Sequence, residues 1–247
     1  MNKKKRLLLC SILLLAALLR IYGIDWGIPG AGSNRAYHPD ERMAPLTLSR
    51  MDPSQGRFNP YYFINPTLFY YQYGLFLLPV SRITGITPPW QIDSYPAFVD
   101  HNMEEQRVWY LTGRMLTVVM GLVTVWGVFW LGSLLAGVPV GVLGAAIFAC
   151  LPAHVIQSHY MVVDAPAVMW MVLSLAFFAM ALERKKAWVF AASGLFLGLG
   201  LATKYTVALI ALPQLVLVIQ EAWINRASGG VKKKNQAPGA KRSGKSM

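Results

Sequence analysis

The sequence predicts an all-α fold: a polytopic transmembrane helical bundle of about six spans, with juxtamembrane helices in its first outer loop. Three observations predict it. Of the 247 residues, 55% are apolar and only 14% are charged, too few to cover a soluble domain of this length. The apolar residues gather into long runs instead of alternating with polar ones. Fourteen of the 23 Lys and Arg flank those runs at three places: Lys3–Arg6, Arg184–Lys186 and the stretch after Glu221.

Leu7–Ile24 follows four basic residues and is long enough to cross about 30 Å of hydrocarbon. No small-x-small cleavage site follows it, and Trp26 stands just beyond, so residues 1–24 read as an uncleaved signal anchor with its basic end in the cytosol. Residues 25–107 mix Pro, Gly, aromatic and charged residues, with six Arg against eight Asp and Glu, and read as an outer loop. Its apolar stretch, Pro66–Gly85, is broken by Pro79 and Arg82 and rich in Tyr at its front. A span there would turn Arg184–Lys186 outward, against the positive-inside rule, so this stretch reads as a helix lying in the interface. A bundle over 108–221 then takes Val108–Ala136, Val138–Tyr160, Val163–Leu182, Ala187–Thr203 and Thr206–Gln220, the last two short. Six spans return both termini to the cytosol. Residues 222–247, basic and rich in Gly and Ser, read as a disordered cytosolic tail.

The net charge of +12 invites a nucleic-acid partner, but its placement at span ends argues for membrane topology and against nucleic acid. Cys10 and Cys150 lie inside apolar runs without ligand-like spacing, which excludes a disulfide scaffold or a zinc site.

This topology sends a set of polar residues to one face. Asp40 and Glu41 sit in the first outer loop; His154, His159 and Asp164 surround the turn between the third and fourth spans; Lys204 lies between the fifth and sixth. Arg114 stands less than two turns into the second span from the same side. Ionisable groups are costly at a span centre, so their convergence at outer ends predicts a polar, outward-facing cleft. Each also has a plainer reading. Asp40 and Glu41 after Pro39 suit the first turn of a helix, and Asp164 suits a cap. His154 and His159, at i and i+5, do not share a helical face and read as polar residues at a span end rather than metal ligands. Lys204 suits a snorkelling cation, and Arg114 a partner of Glu104 or Glu105. Neighbouring helix residues point about 100° apart, so Asp40 and Glu41 read as one base with a helper, not as a glycosidase pair. A single carboxylate that deprotonates an incoming hydroxyl fits direct displacement at a sugar carbon with a phosphate leaving.

The Asp40–Glu41 pair, "FNPYYFINPTLFYYQYG", "GRMLTVVMGLVTVWGVFWLGSLLAG", "LPAHVIQSHYMVVDAP", the basic "ERKK" turn and "GLFLGLGLATKYT", in that order from Trp26 to Gln220, resemble the polyprenyl-phosphate-dependent GT-C glycosyltransferases. Within that class the likeness is to the protein O-mannosyltransferase and aminoarabinose transferase group. The resemblance implies that Asp40 is the catalytic base with Glu41 beside it, and that Asp164 and Lys204 belong to the site; Arg114, His159 and Asn65 are expected to join Asp164 and Lys204 in binding substrate. It implies a polyprenyl-phosphate sugar as donor, a protein, lipid or glycan hydroxyl as acceptor, and inversion at the outer face of the plasma (inner) membrane. No resident cofactor is implied, and a divalent cation is left open. The chain departs from the aminoarabinose transferases at Ile64 and Asn65, where they carry an acid and a lysine before the proline. Family members continue through more spans, so these residues are expected to form the N-terminal part of such an enzyme. The rival readings are a non-catalytic membrane assembly factor and a transporter component.

Overall fold

The computed structural model describes residues 3–30, 36–92, 94–220 and 223. They divide between two compact units, Met1–Ala208 and Leu209–Met247. The first unit is helical: α1 (Lys3–Ile21), α2 (Met43–Leu48), α3 (Leu68–Thr84), α4 (Tyr95–Val99), α5 (Met103–Ala136), α6 (Val138–Ala149), α7 (Pro152–His159), α8 (Asp164–Arg184) and α9 (Ala187–Leu201), with short 3₁₀ turns between. In the second unit, residues 211–220 are helical. Among the described residues there is no named β-strand, and β-structure is confined to isolated bridges, one of them between Asp52 and Arg57. The expected basic tail lies outside the described residues.

The all-α membrane fold stands; among the described residues two helices, or three spans with one bent pair, are long and apolar enough to cross a membrane, against about six expected. Helices α5 and α8 are each long and apolar enough to cross a bilayer; α6 and α7 pass together but bend by 58°. The bend has a local cause, because Pro152 opens α7 without an N–H to offer α6 and with its φ fixed. Helix α9 has 15 residues, about 22 Å of rise, short of a hydrocarbon core. Helix α1 has 19 residues but spends Lys3–Arg6 and Arg20 of them on charge.

The core forms where α3 and α8 meet the long α5. Phe69, Tyr73 and Leu77 of α3 are fully buried in one cluster with Trp109 and Tyr110 of α5 and Met169 and Leu173 of α8. The Tyr73 hydroxyl donates to the Trp109 carbonyl at 3.1 Å, which satisfies one polar atom that α3 brings inside. Helix α8 is tied to α9 by two reciprocal bonds: the Ser174 and Ser193 hydroxyls each donate to the other's carbonyl, at 3.1 and 3.0 Å.

Small residues bring α5 and α6 together. A Cβ on Gly132 would lie 2.9 Å from the Gly141 Cα, and one on Gly141 would overlap the Phe129 carbonyl and the Ser133 hydroxyl. Around Gly194, by contrast, a Cβ would meet nothing within 4 Å. Gly141→Ala is therefore expected to destabilise by about 1–3 kcal/mol through overpacking. Gly194→Ala is expected to be neutral or to stabilise by up to about 1 kcal/mol through helix propensity. Thermal unfolding of the two variants in detergent checks the opposite signs.

Candidate active site

The turn before α2 carries the acidic pair and sends its two carboxylates in different directions. Glu41 N–H donates to the His38 carbonyl and Met43 N–H to the Asp40 carbonyl, which tightens the chain into α2. Neither acid lies in the first turn of α2, whose N-cap position is Arg42, so the helix-start reading of the pair does not hold. Asp40 is exposed, and its backbone N–H donates to His38 Nδ1 at 3.2 Å. The His38 ring lies beside that of Tyr160, with centroids 4.8 Å apart. Arg42 donates to the Tyr95 hydroxyl at 2.7 Å and ties the turn to α4.

Glu41 is fully buried. Its Oε1 accepts from Arg114 Nε at 2.7 Å and from the Met161 N–H at 2.8 Å, and its Oε2 accepts from Arg114 Nη2 at 2.7 Å. Arg114 Nη1 also donates to the carbonyls of Ile24 and Trp26, both at 2.7 Å. Four of the five guanidinium N–H groups are thus spent on protein, and the cation lies over the Tyr160 ring at 5.4 Å. The bidentate pair joins the segment after α1, the turn before α2, helix α5 and the α7–α8 connection. It differs from the sequence expectation for Arg114 on both counts: the partner is Glu41 rather than Glu104 or Glu105, and little is left to hold a substrate phosphate.

Asp40 instead faces a cavity of about 150 Å³. The same cavity is lined by Asn65 from the segment before α3, Asp164 at the start of α8 and Lys204 just after α9. Lys204 Nζ donates to Asp164 Oδ1 at 2.6 Å, and the two side chains keep 29% and 40% of their surface exposed, enough to engage a ligand. Tyr62 and Tyr70, with Met43 and residues Met161, Val162 and Val163, complete the wall. Burial first, then the neighbouring Tyr62 hydroxyl, pushes the Tyr70 phenol well above its ordinary pKa, so it remains a neutral hydrogen-bonding group beside Asn65.

Asp40, Asp164 and Lys204, which the sequence sent to one face, therefore share one cavity, and Asn65 joins them there. His159 does not join them. Its Nδ1 lies 2.9 Å from the Val155 carbonyl and its Nε2 2.9 Å from the Tyr22 carbonyl, in a separate cleft with Trp26 and Tyr160. His154 is buried against Arg20. Sequence reasoning missed Tyr62 and Tyr70 as cavity walls; the aromatic run around the two Asn-Pro steps was the available signal. For the divalent cation left open above, Asp40 and Asp164 supply two carboxylates at this cavity. Among the described residues no three His, Cys, Asp or Glu side chains form a group that could hold a metal ion.

The class these features define is that of an all-helical integral membrane protein with two carboxylates and a cation gathered around a small polar cavity. The sequence model of the dolichyl-phosphate-mannose-protein mannosyltransferases matches residues 70–238, more than half of the chain, and the protein belongs to that family. Tyr70, Asp164 and Lys204 fall within the match, whereas Asp40, Glu41 and Asn65 precede it. No curated protein and no solved structure matches the chain. Membership supports glycosyltransferase activity of the lipid-linked-sugar kind in an integral membrane protein.

Proposed function

We propose that the protein transfers a sugar from a polyprenyl-phosphate donor to a hydroxyl acceptor, with inversion, at the outer face of the plasma membrane. The observation that carries this reading is the convergence of Asp40, Asn65, Asp164 and Lys204 on one cavity. Asp164 opens α8 and Arg184 closes it, 21 residues or about 32 Å away. With the basic turn in the cytosol by the positive-inside rule, the cavity faces outward.

In the proposed reaction, the Asp40 carboxylate takes the proton of the acceptor hydroxyl. The hydroxyl oxygen attacks the anomeric carbon from the side opposite the phosphate, and the bond from that carbon to the phosphate oxygen breaks. The electron pair leaves on the phosphate, where Lys204, held by Asp164, stabilises the developing charge. Asn65 and the Tyr70 hydroxyl offer hydrogen bonds to the sugar. Glu41 and Arg114 act at one remove: they fix the turn that carries Asp40. The family's name makes a mannosyl donor and a protein acceptor the first pair to assay.

Lys204→Ala is expected to weaken binding of a polyprenyl phosphate to the purified protein by at least about tenfold, the worth of one charge-assisted hydrogen bond. Unchanged binding, together with no sugar transfer from polyprenyl-phosphate mannose in membranes containing the native chain, would sink the reading.

A further inference from the structure

A second polar cluster lies outside the candidate active site, where α1 meets the bend between α6 and α7. Arg20 is fully buried, with its Nη1 donating to the carbonyls of Ala16 and Ala149, both at 3.0 Å. No carboxylate pairs with it among the described residues, and its Nε has no partner. Arg20 Nη2 lies 2.9 Å from His154 Nδ1. A guanidinium only donates, so Nδ1 accepts and the proton of the neutral ring sits on Nε2.

That Nε2–H is a donor without a partner on a residue only 6% exposed. His154 lines a cleft of about 240 Å³ between α6, α7 and the first turns of α8. Gln157, whose carboxamide oxygen is also buried and unpartnered, lines the same cleft. The rest of the wall is apolar, with Phe148, the exposed Leu151 and Val168. Asp164 borders it too, but its charge is met by Lys204 at 2.6 Å.

Three features select the occupant. An unpaired guanidinium beside the imidazole favours an anion at His154 Nε2. The apolar wall suits hydrocarbon chains. The level is also right: α8, about 32 Å long over its 21 residues, matches the hydrocarbon thickness, so its first residue lies among the headgroups. We infer that this cleft binds an anionic glycerophospholipid, its phosphodiester accepting from His154 Nε2–H and a headgroup hydroxyl donating to Gln157. The inference rests on the membrane fold and not on the proposed sugar transfer.

The test uses the full chain in detergent, with lipid retention followed by native mass spectrometry. The probes are phosphatidylglycerol, phosphate-free diacylglycerol and a polyprenyl monophosphate. The informative variant is His154→Asn, whose side-chain oxygen can still accept from Arg20 while nothing reaches the Nε2 position; Gln157→Leu, which leaves Arg20 and His154 untouched, is the second. Each is expected to lower phosphatidylglycerol retention, His154→Asn by about tenfold. Diacylglycerol should be retained poorly throughout, and polyprenyl phosphate binding should be unchanged. Equal phosphatidylglycerol retention in the native chain and both variants would overturn the inference, as would equal retention of diacylglycerol. Loss confined to polyprenyl phosphate would also overturn it, by assigning the cleft to the sugar donor.

Discussion

Asp40→Asn is expected to lower sugar transfer by roughly 10² to 10⁴-fold, the usual contribution of a general base, with expression and melting temperature unchanged. The second half of this expectation comes from placement. The Asp40 side chain is exposed and no ion pair among the described residues depends on it, so an amide of the same shape leaves those surroundings as they were. Transfer from polyprenyl-phosphate mannose in membranes carrying the variant, normalised to protein amount, is the measurement. Activity within a fewfold of the native chain would remove Asp40 from the mechanism as its base.

Glu41→Gln is expected to do the opposite: to damage the fold first. Removing one charge from a buried pair leaves the other uncompensated, at a cost of about 3–5 kcal/mol. Arg114 would keep its bonds to the Ile24 and Trp26 carbonyls but lose the anion it was buried with. A large drop in melting temperature or in folded yield is the expected result. Replacing both partners with apolar residues, as in Glu41→Leu with Arg114→Met, should recover a good part of that loss, because no charge is then stranded. If the single variant folds as well as the native chain, the pair does not hold the turn. The two adjacent acids thus separate by experiment, one affecting turnover and the other stability.

Much of this was legible before any coordinates. Composition and the placement of Lys and Arg led to an all-helical membrane fold because those features record a physical demand, that backbone polar groups be satisfied internally and charges kept at the ends. Asp164 and Lys204 could be brought together by topology alone, since each sits at the same end of its apolar run. Span lengths were less legible. Hydropathy does not register that Pro152 breaks the third run into two helices at an angle, or that α9 stops after 15 residues. The roles of Glu41 and Arg114 were hidden for a different reason. They lie 73 positions apart, and periodicity carries no information on which buried cation answers which buried acid. The partners of His159, one a carbonyl 137 positions away, were hidden in the same way.

The tie made by Glu41 also sets an order of events. Its last contributor, the Met161 amide, is 120 positions further along than the carboxylate it meets. A ribosome delivering this chain into the bilayer therefore releases the Asp40 turn long before the segment that locks it. Chains halted short of Arg114 should carry an unlatched turn, open to protease, and the last of its bonds closes once the α7–α8 connection has emerged.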